Sequence, residues 1–246
     1  MTTARILLVE DDRDLAENLA EILVDLGYEV ALAESAEKAL ELVQAGSFQS
    51  IITDFRLPGR NGIELIQELR AAGIAVPVVV VSAFMDHRMA ERAELAGALD
   101  VVVKPVNLEH LLGILAELAQ PGSDVLIVDD NQALAENIAE ALKERGLEPV
   151  IGGSATAALA QRRMPQVAVL DLRLPDKSGI DVARRLAARD PRIRILFMTG
   201  HAEELRDRLG PLVDALPLLD RDQPYVAKPF DLGAMVDRLL LAVERK

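Results

Sequence analysis

The chain has 246 residues, half of them apolar, with a formal net charge of −13 and no cysteine. This length and apolar content suffice for two domains with ordinary hydrophobic cores, and the lack of cysteine excludes a disulfide framework and thiolate metal ligands. The acidic balance argues against a nucleic-acid surface, and the sequence shows neither a leader nor an apolar run of membrane-spanning length, so we expect a cytoplasmic protein without membrane insertion.

The first half of the chain alternates short apolar runs with segments of helical periodicity. Strands are predicted at 6–9, 28–33, 50–54, 76–81 and 101–103, and helices at 15–26, 36–45, 61–72, 86–96 and 108–118. Five strands that alternate with five helices are typical of a parallel sheet covered by helices on both faces.

The second half repeats the first. The run LAENLAE at 15–21 returns as LAENIAE at 134–140, an offset of 119 residues, which indicates two copies of a whole domain. We place the boundary at the Pro-Gly break in 120–123, giving domains 1–120 and 121–246. Strands are predicted at 125–128, 148–151, 167–170, 193–198 and 225–227, with a last helix at 232–243. Three prolines in 210–224 predict that the helix before the last strand is short or displaced.

The two halves differ in charge. The first has 9 basic and 20 acidic residues, whereas the second has 18 basic and 20 acidic residues. Ordinary solvated faces explain this difference most simply. The alternative is that the two halves meet different partners.

Carboxylates crowd the end of the first predicted strand in each half. Glu10 and Asp11 correspond to Asp129 and Asp130 at the repeat offset of 119 residues. Because adjacent carboxylates repel one another unless a cation lies among them, we expect a hard, oxygen-seeking ion such as Mg²⁺ there.

One further aspartate ends the third predicted strand of each half, namely Asp54 and Asp171. Open parallel sheets bind ligands at the carboxyl ends of their strands. A carboxylate placed there can attack a phosphorus centre. A hydroxyl residue at the end of the fourth strand follows 28 residues later in both halves, Ser82 and Thr199. A small residue follows each hydroxyl and leaves room for a phosphoryl oxygen.

A Lys-Pro pair follows the fifth strand in each half. Lys104 and Lys228 can pair with a phosphoryl oxygen, and the proline constrains the turn that carries the lysine. The hydroxyl and the lysine are 22 residues apart in the first half and 29 in the second, so the second half has 7 extra residues. Two ordered sets of these residue types in one chain point to phosphoryl transfer to a carboxylate.

In this order the residues resemble the receiver domains of bacterial two-component response regulators, the CheY-like family, over nearly the whole chain twice. The resemblance implies two flavodoxin-like, doubly wound five-stranded parallel sheets in tandem, with strand order 2-1-3-4-5. It also implies phosphoacceptors at Asp54 and Asp171, switch hydroxyls at Ser82 and Thr199, and phosphate-sensing lysines at Lys104 and Lys228. The Mg²⁺ ligands that it implies are Glu10, Asp11, Asp54 and the backbone carbonyl of Arg56 in the first half, and Asp129, Asp130, Asp171 and the backbone carbonyl of Arg173 in the second.

The resemblance further implies a function in signalling. A histidine kinase or a histidine phosphotransfer protein would donate the phosphoryl group, and the chain would assist only its own phosphorylation and later hydrolysis without being an enzyme otherwise. Output would then pass to a downstream protein through phosphorylation-dependent contacts, since no output domain is seen in this chain. Members of the family also form homodimers, so a homodimer is a further expectation.

Two alternatives stay open at this point. The same receivers could belong to a longer regulator or a hybrid histidine kinase. From another class, a phosphohydrolase of the haloacid dehalogenase type also uses Asp, Mg²⁺, Ser or Thr, and Lys. That family places its nucleophile in a DxD motif after the first strand, and neither acid cluster here is followed by the turn that such enzymes have.

The sequence also departs from the family pattern. The aromatic switch residue of the family lies three residues before the lysine, where Tyr225 stands in the second half but Val101 in the first. We therefore expect that the first half signals differently or chiefly relays phosphate. The extra residues of the second half argue against a dimer through the corresponding face of that domain.

Overall fold

The computed structural model of the chain describes residues 4–84, 86–119, 123–200, 203 and 215–243. The chain forms two compact units, essentially residues 1–120 and 121–246. The Pro-Gly break that we predicted as the boundary falls mainly on residues 120–122, which lie outside the described residues, so its exact position stays a prediction. No helix in the described ranges combines the length and apolar character needed to cross a membrane.

The first unit contains all ten predicted elements, each with bounds within two residues of the prediction. In chain order they are β1 (Arg5–Val9), α1 (Arg13–Asp25), β2 (Glu29–Ala33), α2 (Ala36–Ala45), β3 (Ser50–Asp54), α3 (Gly62–Ala71), β4 (Val78–Ser82), α4 (His87–Ala96), β5 (Asp100–Val103) and α5 (Leu108–Ala119).

Polar side chains fix where the helices of the first unit begin. Asp12, Ser35, Asn61 and Asp86 each accept a hydrogen bond from a backbone N–H in the first turn of the following helix. Such caps satisfy donors that have no partner within the helix. The helices therefore start directly after the loops at the carboxyl ends of the strands, where the candidate functional residues lie.

The second unit has the same plan, with one shorter helix. Its elements are β6 (Val125–Val128), α6 (Gln132–Lys143), β7 (Pro149–Gly152), α7 (Ala155–Leu159), β8 (Val167–Asp171), α8 (Gly179–Arg189), β9 (Arg194–Thr199), β10 (Tyr225–Ala227) and α9 (Leu232–Val243). The helix predicted between β9 and β10 falls mainly on residues 201–214, which are outside the described part of the chain apart from residue 203. Its predicted displacement therefore stays a prediction.

Both sheets are entirely parallel and have the same strand order. The order is β2-β1-β3-β4-β5 in the first unit and β7-β6-β8-β9-β10 in the second, which confirms the predicted order 2-1-3-4-5 and the doubly wound fold. Apolar layers cover both faces of each sheet, and every residue of the central strands β3, β4 and β8 is buried. The chain leaves the first strand in one direction and the third in the other, so a crevice opens at their carboxyl ends.

The extra residues of the second unit divide its edge strand into two parts. Leu218 forms a parallel bridge with Ile195, and the N–H of Phe197 donates to the carbonyl of Pro224 at 3.0 Å just before β10 begins. Between these contacts the chain makes an exposed turn, in which Asp220 accepts hydrogen bonds from the N–H groups of Asp222 and Gln223 at 2.9 and 3.2 Å. The edge of this sheet is thus interrupted next to Tyr225.

Candidate functional sites

Three carboxylates meet at the carboxyl ends of β1 and β3 in the first unit. Glu10 and Asp11 follow β1, Asp54 is the last residue of β3, and one oxygen from each lies within 4.8 Å of the others. Glu10 and Asp54 are only 7% and 8% exposed, whereas Asp11 is exposed to solvent. The structure therefore brings the three predicted acids of this half together.

Lys104 reaches this cluster from the end of β5. Its Nζ donates to Glu10 Oε2 at 2.8 Å and also to an oxygen of Asp54. Burial lowers the pKa of Lys104, but the hydrogen bonds to Asp54 and Glu10 outweigh it, so the pKa is raised and the ammonium stays charged. Burial raises the pKa of Glu10; the hydrogen bond from Lys104 opposes this effect and the charge of Asp54 adds to it.

The second unit repeats this arrangement with aspartate in place of glutamate. One oxygen from each of Asp129, Asp130 and Asp171 lies within 4.8 Å of the others. Lys228 Nζ lies 2.6 Å from Asp129 Oδ2 and 2.9 Å from Asp171 Oδ1. Burial raises the pKa of Asp171, although the hydrogen bond from Lys228 opposes this effect. Burial lowers the pKa of Lys228, but its hydrogen bonds to Asp129 and Asp171 outweigh burial, so the pKa of Lys228 is raised.

The turn after each terminal aspartate holds its carboxylate in place. The N–H of Arg56 donates to Asp54 Oδ1 at 2.8 Å, and the N–H of Arg173 donates to Asp171 Oδ2 at 3.2 Å. The carbonyl oxygens of these two arginines were predicted as metal ligands, and that role stays a prediction.

Two glycines allow this turn to pack tightly, and the sequence indicated them only as helix starts. A Cβ on Gly62 would lie 2.5 Å from the carbonyl oxygen of Asp54, and one on Gly179 would lie 2.1 Å from that of Asp171. Both distances are far below van der Waals contact, so any side chain would displace the aspartate. The N–H of each glycine also closes the turn, donating to the carbonyl of Phe55 at 3.0 Å and of Leu172 at 2.9 Å.

The predicted hydroxyl residues end the fourth strands. Ser82 closes β4 and Thr199 closes β9, and both are almost completely buried. Ser82 Oγ donates to the carbonyl of Phe84 at 2.6 Å and lies 3.9 Å from the sulfur of Met89. The Ser82 hydroxyl therefore has to leave a bond within its own loop before it can donate to another group.

The position of the aromatic switch differs between the units. Tyr225 begins β10, is half-buried and packs against one apolar layer of its sheet. Val101 in β5 packs against the corresponding layer of the first unit, and its N–H donates to the Asp100 carboxylate at 2.8 Å. That carboxylate lies 3.4 Å from His110 Nε2 on α5. No pattern in the sequence indicates this pair, because the two residues come from separate elements.

The donor set at both sites suits a hard divalent cation. Each cluster offers three carboxylate oxygens close together, and oxygen donors of this kind are those that Mg²⁺ and Ca²⁺ prefer. A nearby ammonium group balances part of the negative charge and can pair with further anionic oxygens.

Comparison with known proteins agrees with this geometry. The chain matches the family described as response regulator receiver domain twice, at residues 6–116 and 125–240. A response regulator receiver protein of Anaeromyxobacter sp. (strain Fw109-5) is 37% identical over 242 residues, which cover 98% of this chain and 94% of that protein. The response regulator protein FleR of Pseudomonas aeruginosa is 36% identical over 124 residues, which cover 49% of this chain and 26% of FleR.

Among solved structures, the chemotaxis response regulator CheY4 of Vibrio cholerae is 28% identical, with a TM-score of 0.45, and covers 48% of this chain and 99% of its own. The double family match and the full-length relative agree with the repeat in the sequence and with the two sheets. The chain therefore belongs to the response regulator receiver family of two-component systems and carries two receiver domains in tandem.

Proposed function

We propose that Asp54 and Asp171 each accept a phosphoryl group from a histidine kinase or a histidine phosphotransfer protein. One observation carries this proposal. Each aspartate ends a buried strand with its carboxylate between a lysine ammonium and two further acids, and the same arrangement occurs in both domains.

The transfer follows from the position of these groups. A carboxylate oxygen of Asp54 forms a bond to phosphorus while the bond between phosphorus and the donor's imidazole nitrogen breaks. The electron pair of that bond stays on the nitrogen, which takes up a proton from solvent. The Lys104 ammonium already contacts Asp54, so it is placed to pair with a phosphoryl oxygen after transfer. Attack by water at phosphorus later returns the free carboxylate and inorganic phosphate.

The acid clusters would hold Mg²⁺ for this step. Glu10, Asp11 and Asp54 would be its carboxylate ligands in the first domain, with the Arg56 carbonyl. Asp129, Asp130 and Asp171 would be those of the second domain, with the Arg173 carbonyl. When bound, the ion supplies positive charge that screens the carboxylate from the incoming phosphoryl oxygens. The chain's own lysine already contacts the same aspartate in each domain and adds positive charge there.

The two domains would transmit the signal differently. Thr199 and Tyr225 form a pair of hydroxyl and aromatic residues in the second domain that can couple phosphorylation to a change of surface. The first domain has Ser82 but Val101 instead of an aromatic residue, and we propose that it chiefly relays phosphate. Output would pass to a downstream protein in the cytoplasm, and members of this family are generally not enzymes.

The test is intact-mass spectrometry after incubation with acetyl phosphate and Mg²⁺. The wild type should gain two phosphoryl groups, and Asp54→Asn and Asp171→Asn should each lose one of them, because asparagine keeps the shape but not the nucleophile. A chelator should abolish both additions. No addition to the wild type, with a competent kinase also tried, would refute the proposal; a single addition would restrict it to one domain.

A further inference from the structure

The loop after each proposed phosphoacceptor is tied to the helix that follows the second strand of its sheet. In the second domain this loop comprises residues 172–178 and joins β8 to α8. Its two ends are held together, because Arg173 and Ser178 form an antiparallel bridge. The loop therefore leaves Asp171 and returns close to it, and its middle part extends away from the sheet.

Asp176, in the middle part of this loop, bonds to the first turn of α7. Its Oδ1 accepts from the N–H of Ala155 at 2.9 Å, and its Oδ2 accepts from the N–H and the hydroxyl of Thr156 at 2.8 and 2.6 Å. The two N–H groups have no partner within the helix, so the carboxylate satisfies donors that would otherwise need water. These bonds, above all that from the Thr156 hydroxyl, lower the pKa of Asp176. An ionised carboxylate thus joins the loop to a separate element through three hydrogen bonds.

The first domain makes the same connection with other groups. Gly59 stands where the second domain has Asp176, and Glu37, the second residue of α2, stands where α7 has Thr156. Arg60, the residue after Gly59, donates to Glu37 Oε1 at 2.8 Å. The loop after the phosphoacceptor is therefore joined to the start of the same helix in both domains. Because the side chains that join them are unlike, the connection itself is the shared feature, and this points to a role in the site that the two domains also share.

We propose that Asp176 is a positioning residue for the phosphorylation of Asp171. The N–H of Arg173 donates to Asp171 Oδ2 at 3.2 Å, and the carbonyl of Arg173 is the proposed backbone ligand of Mg²⁺. Asp176 fixes the loop that carries both groups, so it acts on the carboxylate and on the metal site through the backbone of Arg173. Removing a group that orients a metal ligand typically weakens metal binding by about 10- to 100-fold. The inference rests on the proposed function and adds to it a residue that touches neither the metal nor the phosphoryl group.

The experiment uses the full chain with Asp54→Asn, so that only the second domain can be phosphorylated. Intact-mass spectrometry follows the initial rate of phosphorylation by acetyl phosphate over a range of Mg²⁺ concentrations. Asp176→Ala should raise the Mg²⁺ concentration that gives half the maximal rate by about tenfold, and excess Mg²⁺ should restore most of the rate. Asp176→Asn keeps one acceptor oxygen and should have an intermediate effect. A purely structural role would lower the maximal rate, because less protein is folded, and leave the half-saturating concentration unchanged.

A matched control separates the hydrogen bonds of Asp176 from its charge. Asp181→Ala removes the same charge from an exposed side chain in the first turn of α8, and it should change the half-saturating Mg²⁺ concentration less than about twofold. A second measurement needs no phosphoryl donor. In a Tyr28→Phe chain, Tyr225 fluorescence follows urea unfolding of the second domain. Mg²⁺ near the half-saturating concentration of the unsubstituted site should raise the urea midpoint more with Asp176 than with Asp176→Ala, because Mg²⁺ stabilises the folded state in proportion to its occupancy.

The two measurements distinguish a failure of the positioning role from a failure of the proposed function. The positioning role is overturned if Asp176→Ala keeps the half-saturating concentration of the unsubstituted site, or if Asp181→Ala raises it equally. It is also overturned if Mg²⁺ raises the urea midpoint equally with and without Asp176. A chain with Asp176 that gains stability from Mg²⁺ but takes up no phosphoryl group at Asp171 would refute the proposed function, and the urea midpoints would still show whether Asp176 positions the metal site.

Discussion

Replacing Lys104 by methionine should destabilise the first domain strongly without Mg²⁺ and only slightly with it. The substitution keeps most of the apolar stem but leaves Glu10 and Asp54, both more than nine-tenths buried, without their shared cation. Two unit charges 4.8 Å apart, the outer limit for this cluster, repel by about 3.5 kcal/mol at an effective dielectric constant of about 20. Removing one partner of a buried ion pair costs about 3–5 kcal/mol in other proteins. We expect a loss of about 3 kcal/mol.

Saturating Mg²⁺ should restore most of this loss, because an ion that binds only the folded state at about 100 times its Kd adds about 2.7 kcal/mol. The gain from Mg²⁺ should be larger in Lys104→Met than in the wild type, where the ammonium competes for the same oxygens.

Urea unfolding followed by tyrosine fluorescence measures this effect in one domain at a time. The chain has two tyrosines and no tryptophan, so in a Tyr225→Phe background Tyr28 reports only the first domain. Arg13→Met is the control, since it removes an exposed ion pair with Glu17 and should cost less than about 1 kcal/mol. If Lys104→Met is as stable as the wild type without Mg²⁺, or if Mg²⁺ stabilises both equally, the lysine does not balance the acid cluster.

Three further predictions concern other features. Hydrogen bonds from Thr156 lower the pKa of Asp176 to about 2. The ionised Asp176 should therefore stabilise the second domain above about pH 4, and this effect should be lost as the pH falls towards 2. Asp176→Asn should lower the urea midpoint of the second domain at pH 7 but not at pH 2. Gly62→Ala should lower the free energy of unfolding of the first domain by about 1–3 kcal/mol and slow its phosphorylation. The control is Gly113→Ala in α5, where a Cβ would meet no described atom within 4 Å, and this substitution should be neutral or stabilising. In a Tyr28→Phe chain, acetyl phosphate with Mg²⁺ should change the fluorescence of Tyr225, and an unchanged signal would argue against a switch role for this residue.

The sheets could be predicted because their determinants are local. Central strands of a parallel sheet are buried on both faces, so runs such as 78–81 are apolar throughout and easy to recognise. The order of the strands followed from the family resemblance alone, whereas the internal repeat predicted that the second half has the same fold as the first. The grouping of the acids with the lysine could be expected because these residues stand at the carboxyl ends of strands that share one edge.

Other features depend on where distant segments meet, and the sequence did not indicate them. Asp176 caps α7 from a loop about 20 residues further along, accepting from the N–H groups of Ala155 and Thr156 at 2.9 and 2.8 Å. The close approach of Gly62 to the Asp54 carbonyl depends on how α3 docks on its sheet. Neither contact has a periodicity or a spacing that could be read along the chain.

The interrupted edge of the second sheet offers a position for labelling the protein. The connection between the hydroxyl residue and the lysine is 22 residues long in the first domain and 29 in the second. This extra length adds only about 0.2 kcal/mol to the free-energy cost of closing the loop. The turn at 220–223 takes up added length outside the paired segments, and residues 221–223 are exposed. A short tag or a fluorophore between Arg221 and Asp222 would therefore leave both paired segments intact, and it would place a reporter a few residues before Tyr225 in sequence.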